Sequence, residues 1–213
     1  MKLTSSKPAH RGLTLMEVLL VLIMITLVAS LIPASYRSGP SRRIACLSNL
    51  KAMGLGFRLG ANDHGDQFPW NVPPPKGAQG LTLPDIYRFC SNEFNTPKIL
   101  TCPADTARQP VRDWVQFSTN HLSYFIGLDA DESKWQTILT GDRQLAGGVW
   151  TTNRVMLFTT NAQPAWRPAI HGVGNLGLAD GSAFQTTPQN LREAVAAACA
   201  LLPAGQPLRL LMP

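Results

Sequence analysis

From Leu13 onward the chain runs for twenty residues, LTLMEVLLVLIMITLVASLI, with one carboxylate, Glu17, among residues that are almost all apolar. At ~1.5 Å of rise per residue such a run is about 30 Å long, enough to cross the hydrocarbon core of a bilayer, and it predicts a membrane-spanning helix over 13–32. Pro33 removes a backbone hydrogen bond and predicts a kink there. Beyond Ser38-Gly39-Pro40, residues Ile44, Leu47, Leu50, Gly54, Phe57 and Ala61 recur at three- and four-residue steps, with Arg43, Asn49, Lys51 and Arg58 opposite. That pattern predicts an amphipathic continuation of the helix over 33–62, laid by its apolar side on a sheet.

The polar cluster Asn62-Asp63-His64-Gly65-Asp66 closes the helix, and Pro73-Pro74-Pro75 predicts a stiff extended segment. A short helix follows between Leu83 and Cys90, with Pro84 in its first turn. Residues 94–105 read as a strand approach through Ile99 and Leu100. A strand is predicted at Ser123–Leu128 from aromatic and β-branched content and another at Gln136–Thr140, and Val155–Phe158 is a further apolar run. Asp180-Gly181 between two alternating runs predicts a hairpin closed by a type I′ turn. Pro188 to Leu202 reads as an Ala-rich helix, and the apolar tail from Leu208 to Pro213 receives no assignment. The fold class is α+β: a long N-terminal helix packed on a C-terminal antiparallel sheet domain over 63–213.

A short basic leader, then Gly12, Leu13, Thr14, Leu15, Met16 and Glu17, then a continuous apolar helix, resembles a type IV prepilin or a type II secretion pseudopilin. The resemblance implies a pilin-like fold and a leader over 1–12. It also implies cleavage of Gly12–Leu13 by a prepilin peptidase and N-methylation of the new terminal residue, Leu13. It makes Glu17 the assembly residue: a carboxylate inside an apolar helix is costly without a partner, and the α-amino group of Leu13 on a neighbouring subunit could neutralise it. The implied partners are the peptidase, other pilin or pseudopilin subunits and the inner-membrane assembly platform. CLSNLKAMGLGFRL, LTCPAD, SYFIGLDADE and LADGS look like a large bacterial group of prepilin-processed proteins. In that group a His precedes an Asp-Gly turn by nine residues, whereas here eight separate His171 from Asp180.

Charge adjusts this picture only slightly. The formal net charge is +6 over 213 residues, yet Lys and Arg are scattered and form no stripe, so nucleic acid is not indicated as a partner. Lys2, Lys7 and Arg11 favour a cytoplasmic N-terminus before processing, although Arg37, Arg42 and Arg43 weaken the asymmetry. The expected location is the bacterial inner membrane, single-pass, with the C-terminal domain periplasmic or extracellular. Small residues near Ser30, Ala34 and Ser35 would also permit a signal-peptidase cut, against which Glu17 would fall inside the apolar region. In an oxidising compartment Cys46, Cys90, Cys102 and Cys199 allow three disulfide pairings, among which the residues do not choose. The resemblance favours Cys46 with Cys102, since Cys102-Pro103-Ala104-Asp105 has the Cys-Pro-x-Asp form. No cysteine or histidine pair is close enough in sequence to suggest a zinc site.

Candidate chemistry is sparse. Asp63 with Asp66, or Asp129 with Asp131 and Glu132, could hold a cation such as calcium, but neither spacing matches an EF-hand loop, and solvated turns are the simpler reading. His171 and Asp180 with a serine would need triad geometry, and no serine sits in a nucleophile-elbow pattern. No cofactor, metal or catalytic residue is assigned. The expected function is a prepilin-type structural subunit of a type IV pilus or a type II secretion pseudopilus, not an enzyme. The alternative is a monomeric membrane-anchored envelope protein whose outer domain binds a glycan or cation, with Trp70, Trp114, Trp135, Trp150 and Trp166 available for stacking.

Overall fold

A computed structural model describes residues 14–30, 39–167 and 170–213. They fall into two compact units, one ending at Ser38 and one spanning Gly39–Pro213. Pro33 and the continuity of the two helices lie outside the described residues.

The first unit contributes helix α1, Leu15–Ser30. Its first turn is fixed by Thr14, whose hydroxyl and carbonyl both accept from the Glu17 amide at 3.3 and 3.0 Å. The membrane-spanning first half of a long helix is not what the structure contains. Helix α1 has 16 residues, about 24 Å at the standard rise, short of the ~30 Å hydrocarbon core. The next helix, α2 (Gly39–Asn62), carries Arg42, Arg43, Lys51 and Arg58. No helix among the described residues is long and apolar enough to cross a membrane.

The second unit is α+β. Its main sheet has seven strands in the order β4-β5-β9-β1-β2-β7-β8, with every neighbouring pair antiparallel. The strands are β1 Tyr124–Gly127, β2 Ile138–Asp142, β4 Val149–Trp150, β5 Val155–Phe158, β7 Gly174–Leu178, β8 Ala183–Thr186 and β9 Leu208–Leu211. A separate two-stranded ribbon joins β3 (Leu145–Ala146) to β6 (Ala165–Trp166). The remaining helices are α3, Leu83–Phe89, and α4, Pro188–Ala200.

Both faces of the sheet are covered, which is why β1 and β2 are buried at every position. Tyr124, Ile126 and Leu139 point into a core shared with Leu50, Met53 and Phe57 of α2 and with Ile86 and Tyr87 of α3. Their neighbours Phe125 and Ile138 point the other way, into a core with Leu191, Val195 and Ala198 of α4. The two-residue alternation of the strands thus feeds two helical layers.

The buried side of α2 includes Leu50, Gly54, Phe57 and Ala61 of the periodic set, but not Ile44. Cys46, Leu50, Met53, Phe57 and Ala61 are inside, and Ile44 is 67% exposed. Arg43 and Asn49, expected on the solvent side, are half-buried because both donate into the cysteine region described below. Three local expectations also change. The stretch around Ile99 is a 3₁₀ turn, Pro97–Leu100, capped by Thr96, since Pro97 presets its first position. Residues 74–76 turn rather than extend, with Gly77 N donating to Pro73 O. At the β7–β8 hairpin only Gly181 has positive φ, so the loop is a type I turn followed by a left-handed glycine, with Gly181 N donating to Leu178 O at 3.0 Å.

Candidate functional site

Among the described residues, the one group of cysteine and histidine side chains that could share a ligand lies where the N-terminal half of α2 meets the end of β2 and the start of β7. Its first component is the Cys-Pro-x-Asp turn. Asp105 N donates to Cys102 O at 2.9 Å, closing the turn. The Asp105 carboxylate then pins it to the sheet, accepting from Ser123 Oγ at 2.9 Å and from Arg143 Nε and Nη2 at 2.7 and 3.0 Å. Ser123 immediately precedes β1 and Arg143 immediately follows β2, so this one carboxylate fixes the turn against both strands. Burial pushes the Asp105 carboxyl up, but hydrogen bonds from Arg143 and Ser123 outweigh it and hold the group below its ordinary range.

The pinned turn presents Cys102 to α2, where Asn49 Nδ2 donates to Thr101 O at 3.3 Å. Cys46 and Cys102 are bonded as a disulfide, with Cα atoms 5.1 Å apart and a sequence separation of 56. Cys90 and Cys199 are buried free thiols, and burial pushes Cys90 up to about 12.

His171 completes the cluster. Its Nε2 stands 3.1 Å from Cys102 Sγ. Its Nδ1 lies 3.4 Å from Val173 O and 3.7 Å from Asp142 Oδ2. The imidazole is 2% exposed, and burial together with the nearby Arg43 holds it below its ordinary pKa. A neutral ring beside an acceptor-only carbonyl carries its proton on Nδ1, so the Nε2 lone pair faces sulfur. Arg43 Nη2 donates to His171 O at 2.6 Å, tying this loop to α2.

Behind the histidine, Asp142 is 1% exposed and accepts from Asn175 N and Nδ2 at 2.8 and 3.0 Å, both on Oδ2. Burial pushes its carboxyl up to about 7 in spite of those two bonds. Its other oxygen, Oδ1, and Asn175 Oδ1 are buried without a hydrogen-bond partner. A cleft of about 630 Å³ is lined by Cys102, together with Asn49, Thr101, Asp105 and Arg108.

The structure brings together Cys46, Cys102 and His171 from among the residues singled out in sequence. It does not bring His171 to Asp180. Asp180 lies in the exposed hairpin loop and accepts from Ser182 N at 2.8 Å, while the carboxylate facing the imidazole is Asp142. Nothing in the local sequence of Asp142 marks it as buried. Gly12 and Leu13 lie outside the described residues; Glu17 sits exposed in the first turn of α1.

Of the acidic residues considered for cation binding, Asp129, Asp131 and Glu132 are engaged in ion pairs. Asp129 binds Arg209 through both carboxylate oxygens, Glu132 meets Arg58 at 3.2 Å and Asp131 meets Lys134 at 3.4 Å. Of the tryptophans, Trp70 is buried, Trp114 and Trp166 are half-buried, and Trp135 and Trp150 are exposed. No protein-family model, no curated protein and no solved structure matches this chain.

Proposed function

We propose that this chain is a prepilin-type structural subunit, cut between Gly12 and Leu13 by a prepilin peptidase at the bacterial inner membrane and methylated at Leu13. The subunit then assembles with other pilin or pseudopilin subunits on an inner-membrane platform, into a type IV pilus or a type II secretion pseudopilus. In this reading it builds rather than catalyses, and residues 39–213 form the outward-facing body.

The observation that carries the reading is the conjunction of Gly12, Leu13 and Glu17 with the apolar helix that follows. From Leu15 to Val28 every apolar side chain of α1 is exposed, and Glu17 is the one charge among them. A helix apolar on all sides requires cover. Copies of the same helix supply it, and the amine freed at Leu13 of one copy neutralises Glu17 of the next. Mass spectrometry of the protein purified from its host tests this. A chain beginning at N-methylated Leu13 is expected; one that retains residues 1–12 overturns the reading.

A further inference from the structure

Three ligand atoms from three distant stretches converge under α2: Sγ of Cys46, Sγ of Cys102 and Nε2 of His171, all within 4.8 Å of one another. We propose that in its dithiol form the chain binds one zinc ion through Cys46, Cys102 and His171, and that the disulfide is the metal-free alternative state of the same site. This goes beyond filament assembly and does not depend on it.

The geometry is near what the ion needs. Zinc takes thiolate at about 2.3 Å and imidazole at about 2.0 Å, so sulfur and nitrogen on one tetrahedral ion stand roughly 3.5 Å apart. His171 Nε2 is already 3.1 Å from Cys102 Sγ. The two sulfurs must separate to roughly 3.8 Å, which side-chain rotation provides with Cα atoms 5.1 Å apart. The ring is presented correctly as well, because Val173 O accepts at Nδ1 and leaves Nε2 as the ligating atom. Asp142, 3.7 Å from Nδ1, supplies the carboxylate that stands behind metal-bound histidines, and Asn175 holds it in place.

Charge favours the same ion. A dication with two thiolates and a neutral imidazole sums to zero, which a site this dry accommodates better than an isolated charge. Of the three ligands, Cys102 alone lines the neighbouring cleft. Binding replaces two S–H protons by Zn²⁺ and releases both to solvent. Passage to the disulfide state is exchange with an external dithiol–disulfide pair. Two cysteine thiols lose two electrons and two protons while the external disulfide is reduced to its dithiol, and the reverse exchange restores the site.

The test uses the full chain, reduced with a phosphine, desalted anaerobically and titrated with Zn²⁺ and Co²⁺. One ion per chain is expected in the reduced protein, with thiolate-to-cobalt charge-transfer absorption, and none in the oxidised protein. Zinc should shield Cys46 and Cys102 from alkylation, as read by peptide mass spectrometry. His171→Gln and His171→Ala should each weaken zinc at least tenfold, and Asp142→Asn by about 10- to 100-fold. Oxidised samples of each variant, checked by circular dichroism, separate loss of a ligand from loss of the fold. The proposal is overturned by absence of cobalt–thiolate absorption in reduced protein, by equal binding with the disulfide intact, or by shielding that maps to Cys90 or Cys199. It is equally overturned by affinity indifferent to both His171 substitutions in folded variants, or by zinc held only on an unfolded reduced chain.

Discussion

Gly54 of α2 and Gly181 of the β7–β8 hairpin meet so closely that a Cβ on Gly54 would stand 2.9 Å from the Cα of Gly181 and 3.3 Å from its carbonyl oxygen. The obstacle is backbone, and Gly181, with φ of 81°, is held in a left-handed conformation that other residues resist. Arg58, one turn further along α2, donates to Asp180 O at 3.0 Å and bonds the hairpin to the helix.

Gly54→Ala should therefore cost about 1–3 kcal/mol by overpacking. Gly60→Ala, on the same helix, meets only Pro69 at 3.6 Å and Glu93 at 3.9 Å. It should be neutral or stabilising by up to ~1 kcal/mol through helix propensity. Urea unfolding of the two variants checks the contrast; equal effects would mean that the helix–hairpin contact is not tight.

The Cys46–Cys102 bond closes a 56-residue separation, for which chain entropy gives a stabilisation of about 4 kcal/mol. Cys46→Ser, or reduction without added metal, should lower unfolding free energy by roughly 2–5 kcal/mol. Denaturant titrations with and without reductant measure this directly. An unchanged midpoint would show that the ion pair at Asp105 alone holds the turn.

Arg143→Ala should cost about 3 kcal/mol, because it leaves the Asp105 carboxylate buried without its cation. Ser123→Ala, which removes one neutral donor, should cost about 1 kcal/mol. Thermal or urea unfolding at neutral pH ranks them, and a reversed order would contradict the bidentate pairing.

At the site the Asp105 and Asp142 carboxyls contribute to the pH dependence of stability with opposite sign, beside the depressed His171 imidazole. The Asp105 pKa is lower in the folded chain than in the unfolded one, so its contribution is present above the ordinary carboxylate range and fades as pH falls through the folded value. The Asp142 pKa is raised to about 7, so folding is favoured while it is protonated, and that advantage declines between roughly pH 4 and 7 and is gone above it. In the oxidised protein, Asp142→Asn should flatten the decline toward neutrality and leave the acid limb in place. Parallel curves for the two proteins across pH 4–8 would show that Asp142 is not shifted.

Strand β9 lies between β5 and β1, and Leu208, Leu210 and Met212 enter the α4 core while Leu211 enters the α2 core. Deleting residues 208–213 should abolish cooperative unfolding, since it leaves two strand edges unpaired and removes buried side chains from both cores. Leu210→Ala, at a site that is 0% exposed, should cost about 2–5 kcal/mol. Circular dichroism melts distinguish these outcomes, and a sharp transition in the truncated chain would refute the central placement.

Much of the outline was readable from residues alone because it depends on contacts near in sequence. Periodicity marks α2 and α4, Val155–Phe158 is an apolar run bounded by turns, and Asp180-Gly181 announces its hairpin. Turn chemistry is less exact: type I′ was expected, yet Asp180 keeps negative φ by bonding Ser182 N and leaves the left-handed position to Gly181.

What the sequence by itself determined is the local part: an apolar N-terminal run with one acid, a helix with one buried side, short strands, and cysteines and histidines of a given kind. Only the tertiary structure decided that the C-terminal tail is a central strand. It alone decided that Asp142 rather than Asp180 stands behind His171. The reason is physical. Strand order and the meeting of Cys46, Cys102 and His171 arise from packing two helical layers on one sheet, a choice made by contacts among distant residues that no local pattern encodes.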